Sequence, residues 1–170
     1  MTASRRHLEW FLIAVVATSC QALQSTDTVL PKPADLVTDR AGILSSDEID
    51  RLTHDLQELE RAGLAQAVID IESALPPGEV LEKLTLRSAN AWGIGRKGVN
   101  DGLVIFVFMQ DRKLRIEIGR GLESAISNAA AKTIVDEQLT PAFRQRNYAD
   151  GLVKAIRELR ELLLRRSHGG

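Results

Sequence analysis

Trp92–Glu123 reads WGIGRKGVNDGLVIFVFMQDRKLRIEIGRGLE, and its pattern decides the fold. A polar, glycine-bearing loop, Gly93–Gly102, leads into an almost unbroken apolar run, Leu103–Met109. Gln110 and Asp111 interrupt it, Lys113–Ile118 then alternates polar and apolar, and Gly119-Arg120-Gly121 closes the segment. A continuous apolar run suits a strand covered on both faces, and an alternating run suits a strand with one wet face. The few polar residues between them predict an antiparallel hairpin. Ile105 and Val107 are then expected in a helix-covered central strand, with Lys113 and Glu117 facing water. Asp101 and Gly119 fall at one end of this hairpin and Asp111 at the other. At about 3.3 Å per residue the apolar run spans roughly 20 Å, so Asp101 and Asp111 cannot share a small site.

Upstream, Ala65–Ile71 (AQAVIDI) predicts a strand, and Pro76-Pro77-Gly78 breaks the chain. Glu79–Trp92 then carries Val80, Leu81, Leu84, Ser88 and Ala91 on one helical face. Strand, helix, strand in this order makes a right-handed βαβ unit with parallel strands. With the hairpin added, the expected class is α/β with a small mixed sheet. Before it, Ser45 and Glu48 form a capping-box pattern, and Ile49, Leu52, Leu56 and Leu59 line one face of a helix stopped at Gly63. In Asp35–Leu44, Val37, Ala41, Ile43 and Leu44 can dock on a core. Beyond the hairpin, Leu122, Ile126, Ala129, Ile134 and Leu139 predict close-packed helices and Pro141 a new start. Asn147 opens a last helix lined by Leu152, Ile156, Leu159 and Leu163.

The chain has 170 residues, 44% hydrophobic and 26% charged, with a formal net charge of −1. That is one domain's worth of ordinary globular composition. The charge balance and the absence of a basic stripe along the sequence exclude a nucleic-acid partner. Cys20 is the single cysteine, so no intramolecular disulfide forms. The three histidines are scattered, and no Cys/His spacing suits structural zinc. His54 sits among polar helix positions and reads as a solvated surface residue.

Residues 1–19 read as a signal peptide. Arg5 and Arg6 supply a positive start, and Trp10–Ala17 is apolar but too short to span a bilayer. Ala17-Thr18-Ser19-Cys20 resembles a bacterial lipobox, which implies a lipidated Cys20 at the mature N-terminus. The alternative is plain secretion with an incidental cysteine. Residues 20–34, with Pro31 and Pro33, are expected to form a flexible tether, residues 35–166 the folded domain and residues 167–170 a tail. The expected location is the bacterial cell envelope, with the domain lipid-anchored outside the cytoplasm and monomeric.

No nucleotide-binding motif survives inspection. Gly93, Gly95 and Gly98 follow a helix and open a strand, the reverse of a phosphate-cradling loop. No GxSxG elbow occurs. Three oxygen-bearing segments remain: Asp39 before the first helix, Asn100-Asp101 at the head of the central strand, and Glu123 after the closing glycines. Converged at one sheet end, they have the composition of a hard-cation site. The competing reading is that Asn-Asp and Asp-Gly only form turns.

Taken together, LVTDRAGILS (36–45), the segment 91–123 and LTPAFRQRNYADGL (139–152) resemble the TPM domain, found in a thylakoid lumen protein and in bacterial envelope proteins. The carrying motifs are V-x-D-x-A-G-x-L-S, W-G-I-G, N/D-G before an apolar strand, R-I-x-x-G-x-G-L-E and P-x-F-R-x-x-x-Y. The resemblance implies a three-layer α/β/α sandwich with a divalent-cation site, calcium in some members, at one end of the sheet. By position its ligands are Asp39 and Asp101, with Asn100 and Glu123 nearby. Many members carry D-N-G where this chain has N-D-G. An acid-phosphatase activity belongs to the plant branch. Two readings follow: a cation-binding interaction module acting beside membrane or envelope proteins, or a metal-dependent phosphomonoesterase in which Arg120 neutralises developing charge.

Overall fold

A computed structural model describes residues 28–167. Cys20, the signal-peptide residues and the last three residues lie outside that range. A four-stranded sheet in the order β1-β2-β3-β4 forms the middle layer. Its strands are β1 (Val37–Asp39), β2 (Gln66–Glu72), β3 (Gly102–Phe108) and β4 (Lys113–Ile118). β1, β2 and β3 run parallel, and β4 pairs antiparallel with β3, Leu103 opposite Ile118 and Phe108 opposite Lys113. The βαβ unit and the hairpin stand as expected.

Side chains alternate across the strands, so each face has its own core. Ile69, Ile71, Ile105, Val107 and Ile116 pack against α1 (Ser46–Arg61) and α5 (Tyr148–Ser167) through Leu52, Leu56, Leu59, Leu152, Ile156 and Leu159. Val68, Val104, Phe106 and Phe108 face the other way, onto Leu84 and Trp92 of α2 (Leu81–Trp92). Trp92 packs tilted against Phe106, 5.2 Å between ring centroids. These three layers make the α/β/α sandwich. The capping box is formed: the Ser45 hydroxyl accepts from the Glu48 N–H, and the Glu48 carboxylate accepts from the Ser45 N–H.

After a 3-10 turn at Arg120–Leu122 come α3 (Asn128–Ile134), a π turn (Val135–Leu139) and α4 (Thr140–Arg144). The π turn widens the helix just ahead of Pro141, whose ring could not follow a regular turn. Ala129, expected in the core, is exposed, and Ala131 is buried in its place.

Two further expectations change. The Thr28–Pro31 part of the tether is docked: Leu30 is buried, its N–H donates to Ser88 Oγ, and Trp92 Nε1 donates to its carbonyl. A Pro-bearing extended segment of this kind can still dock where one apolar side chain fits a groove and its backbone finds partners. Glu117 does not face water. α2 covers that end of β4, and Glu117 Oε1 accepts from Thr85 Oγ1 at 2.6 Å and Arg115 Nε at 2.5 Å.

Candidate functional site

The structure separates Asp39 from the other three candidate ligands. Asn100, Asp101 and the Gly119–Gly121 turn do meet. The Gly119 N–H donates to the Gly102 carbonyl and the Gly121 N–H to the Asn100 carbonyl. The glycines there serve backbone crossing: a Cβ on Gly121 would stand 2.0 Å from the Val99 oxygen, and one on Gly102 2.0 Å from the Ile94 oxygen. Glu123 and Arg120 are exposed beside this turn.

Asp39 stands elsewhere. It ends β1, and the parallel register aligns it with Ile71 and so with Val107, at the end of the sheet where Asp111 lies. Six residues along β3 separate that level from Asp101, roughly 20 Å. Asp39 and Asp101 therefore cannot ligate one cation, which corrects the expected constellation. The reason is β1 itself: its three residues carry Asp39 to the carboxyl ends of the parallel strands, whereas Asp101 precedes β3.

Each carboxylate is already engaged. Asp39 Oδ1 accepts from the N–H groups of Ala41 and Gly42 at 3.1 and 2.8 Å. Its Oδ2 accepts from Ile43 and Leu44 at 2.8 Å each. Asp39 thus folds the turn that leads into α1. Asp101 is buried, and Arg96 holds both its oxygens, through the backbone N–H on Oδ1 and through Nε on Oδ2, each at 2.6 Å. Burial opposes ionisation of Asp101, but the Arg96 hydrogen bonds and charge outweigh it and keep its pKa below the usual carboxylate value. Hard cations need several free oxygens at about 2.3–2.6 Å. Lone pairs spent on N–H donors, at two separate ends, do not fit the group, and among the described residues no three of His, Cys, Asp and Glu gather as a ligand set. Asp111 accepts from the Leu75 N–H at 2.6 Å and fixes the hairpin turn.

Sequence reasoning missed Asp70. It is fully buried on β2, and Arg40 Nη1 bridges it to Glu72 at 2.7 Å on each side. Asp70 Oδ2 and Thr38 Oγ1, cross-strand neighbours in register, have no partner among the described residues. Burial, with the Glu72 charge, pushes the Asp70 pKa up to about 7 against the pull of Arg40. The signal was present as one acid inside the apolar run Ala67–Ile71. Because the folded value lies above the ordinary 3.8, the stability Asp70 contributes is full below about pH 4 and is lost as pH rises through 7. Asp70→Asn keeps an acceptor for Arg40 and adds a donor for Thr38. It is expected to gain roughly 1–3 kcal/mol on the wild type between pH 5 and pH 8 in urea denaturation. A gap that does not widen with pH removes the buried-acid assignment.

The comparisons with known proteins agree with this fold. The TPM domain profile matches residues 37–162. None of the curated proteins matches. Among solved structures, the N-terminal domain of a P. gingivalis protein is 29% identical, with a TM-score of 0.69 over 75% of this chain and 81% of that one. The N-terminal domain of the cg2496 protein from Corynebacterium glutamicum is 18% identical (TM-score 0.59, covering 79% and 86%). The BA42 protein of Bizionia argentinensis is 16% identical (0.57, covering 75% and 86%). With the profile match spanning well over half of its length, the chain belongs to the TPM domain family.

Proposed function

We propose that the chain is a non-catalytic binding module of the bacterial envelope, acting on or beside membrane proteins and attached through a lipidated Cys20. The observation that carries this reading is the engagement of Asp39 and Asp101. A metal-dependent phosphomonoesterase needs carboxylates free to hold the cation that polarises the phosphoryl oxygen and activates water. Here both acids are spent on holding loops, and they stand at opposite sheet ends. They shape two rigid rims, which suits binding surfaces. No step of this reading passes through a cation.

The test is hydrolysis of p-nitrophenyl phosphate by the full chain with calcium, magnesium or manganese. The expected result is no metal-dependent turnover above a heat-denatured control. Turnover that rises with metal and stays with the protein at constant specific activity through purification overturns the proposal. In a parallel calcium titration followed by NMR, any shifts at Asp39 and at Asp101 are expected to saturate independently. A single shared saturation curve contradicts the separation of the two ends.

A further inference from the structure

A cavity of about 510 Å³ lies between the β3–β4 turn and the α4–α5 connection. Arg112 and Lys113 line it from the first, and Arg144 and Arg146 from the second. No Asp or Glu lines it. Among the described residues, none of the four cationic side chains has an ion-pair or hydrogen-bond partner. Of the other described arginines, Arg40, Arg51, Arg61, Arg87, Arg96 and Arg115 are paired with nearby carboxylates. Four exposed like charges around one hollow give it a positive potential that draws anions in.

The backbone adds an independent observation. Arg112 (φ 54°) and Arg146 (φ 61°) both occupy the left-handed region. Arg146 sits at the C′ position after α4, where the Asn147 N–H returns to the Ala142 carbonyl and the Arg146 N–H to that of Phe143. That is a Schellman ending, the place where glycine is favoured. The chain does use glycine at the corresponding positions after α1 and α2, Gly63 (φ 67°) and Gly93 (φ 63°). Arg112 closes the hairpin turn, another position that favours glycine. At both places an arginine is kept against the local preference, and both line the same cavity. Strain of this kind collects where a side chain is needed for binding.

We infer that this cavity binds a phosphoryl group carried on an organic body. Guanidinium forks match the paired oxygens of a phosphate, and four cations suit a dianion better than a monocarboxylate. The volume falls within the range of small-ligand sites and exceeds what a bare phosphate fills. Phe143 and Tyr148, edge to face at 5.1 Å, also line the cavity and offer an aromatic wall to the organic part. Neither Asp39 nor Asp101 lines the cavity, so the inference holds whether or not the envelope-module reading does.

The test uses the full chain and phenyl phosphate, titrated by NMR. Saturable shifts are expected in residues 107–114 and 140–148, weakening as salt rises. The Arg112→Gly/Arg146→Gly double variant removes two cations and relieves both left-handed residues. It should melt no lower than wild type, yet bind at least about tenfold more weakly, as expected for lost charge-assisted bonds. Lys83→Gln, on the opposite layer, should change nothing. Vesicles of phosphatidylcholine with and without phosphatidic acid distinguish the sources: phosphatidic-acid-dependent binding that the double variant loses marks a lipid headgroup, and phenyl phosphate binding alone marks a soluble ester. The proposal is overturned if phenyl phosphate gives no saturable shifts, if the double variant binds it undiminished, or if Lys83→Gln weakens it as much.

Discussion

Ile105→Ala is expected to destabilise the domain by roughly 2–5 kcal/mol in urea denaturation. Ile105 is fully buried at the centre of β3, opposite Ile69 on β2 and Ile116 on β4. Truncation leaves a cavity bounded by two strands and the α1–α5 layer, none of which can close on it without unpacking the other side. Lys113→Ala, on an exposed residue, should stay within about half a kcal/mol. Glu117→Ala should fall between them, at roughly 1–2 kcal/mol, because it removes the buried carboxylate shared by Thr85 Oγ1 and Arg115 Nε, leaving the Thr85 hydroxyl its bond to the Leu81 carbonyl and Arg115 without its partner. Equal losses at Ile105 and Lys113 would refute the placement of β3. A loss at Glu117 as small as at Lys113 would refute its burial under α2.

Glu117 shows where pattern stops informing. Alternation tells which residues share a face, but a face under a helix with polar residues reads the same as a face in water. The hairpin and the βαβ unit were legible because long apolar runs and turn residues speak through local chemistry alone. β1 was not legible, since three residues carry no period. That omission misplaced Asp39: without a strand to fix the direction of the chain there, the residue could be drawn to either sheet end. The basic cavity was hidden for a different reason. Arg112 and Lys113 are separated in sequence from Arg144 and Arg146 by β4, the 3-10 turn, α3 and the π turn, and only the docking of α4 beside the hairpin turn brings them together. Asp70, by contrast, was visible as an acid within an apolar strand, and it was passed over because its neighbours made a satisfactory strand without it.

Arg96→Ala is expected to cost roughly 2–4 kcal/mol at pH 7. Breaking a buried pair costs more than the pair contributes, because it leaves a charge in a site built for two. Asp101 is that charge: its side chain is 2% exposed, while Arg96 at 46% remains near water, which holds the estimate toward the lower end of buried pairs. Arg96 Nη2 also donates to the Gly63 carbonyl at 2.9 Å, so its loss unties the 93–101 loop from the end of α1. The pH dependence separates these two contributions. In the wild type the Asp101 pKa lies below its unfolded value, so the stability it contributes is present above about pH 4 and is lost as pH falls through the folded value. Without the Arg96 side chain, burial is opposed only by backbone N–H donors such as that of residue 96, and that pKa rises. The deficit of the variant should then be largest at pH 7 and shrink toward pH 4, as the carboxyl takes up a proton. Asp101→Asn in the Arg96→Ala background removes the stranded charge and should recover part of the loss at pH 7, leaving the share due to the Gly63 tie. A deficit that is constant from pH 7 to pH 4, together with no recovery in the double variant, would mean that Arg96 acts only as a mechanical link and that Asp101 is not held as a buried anion.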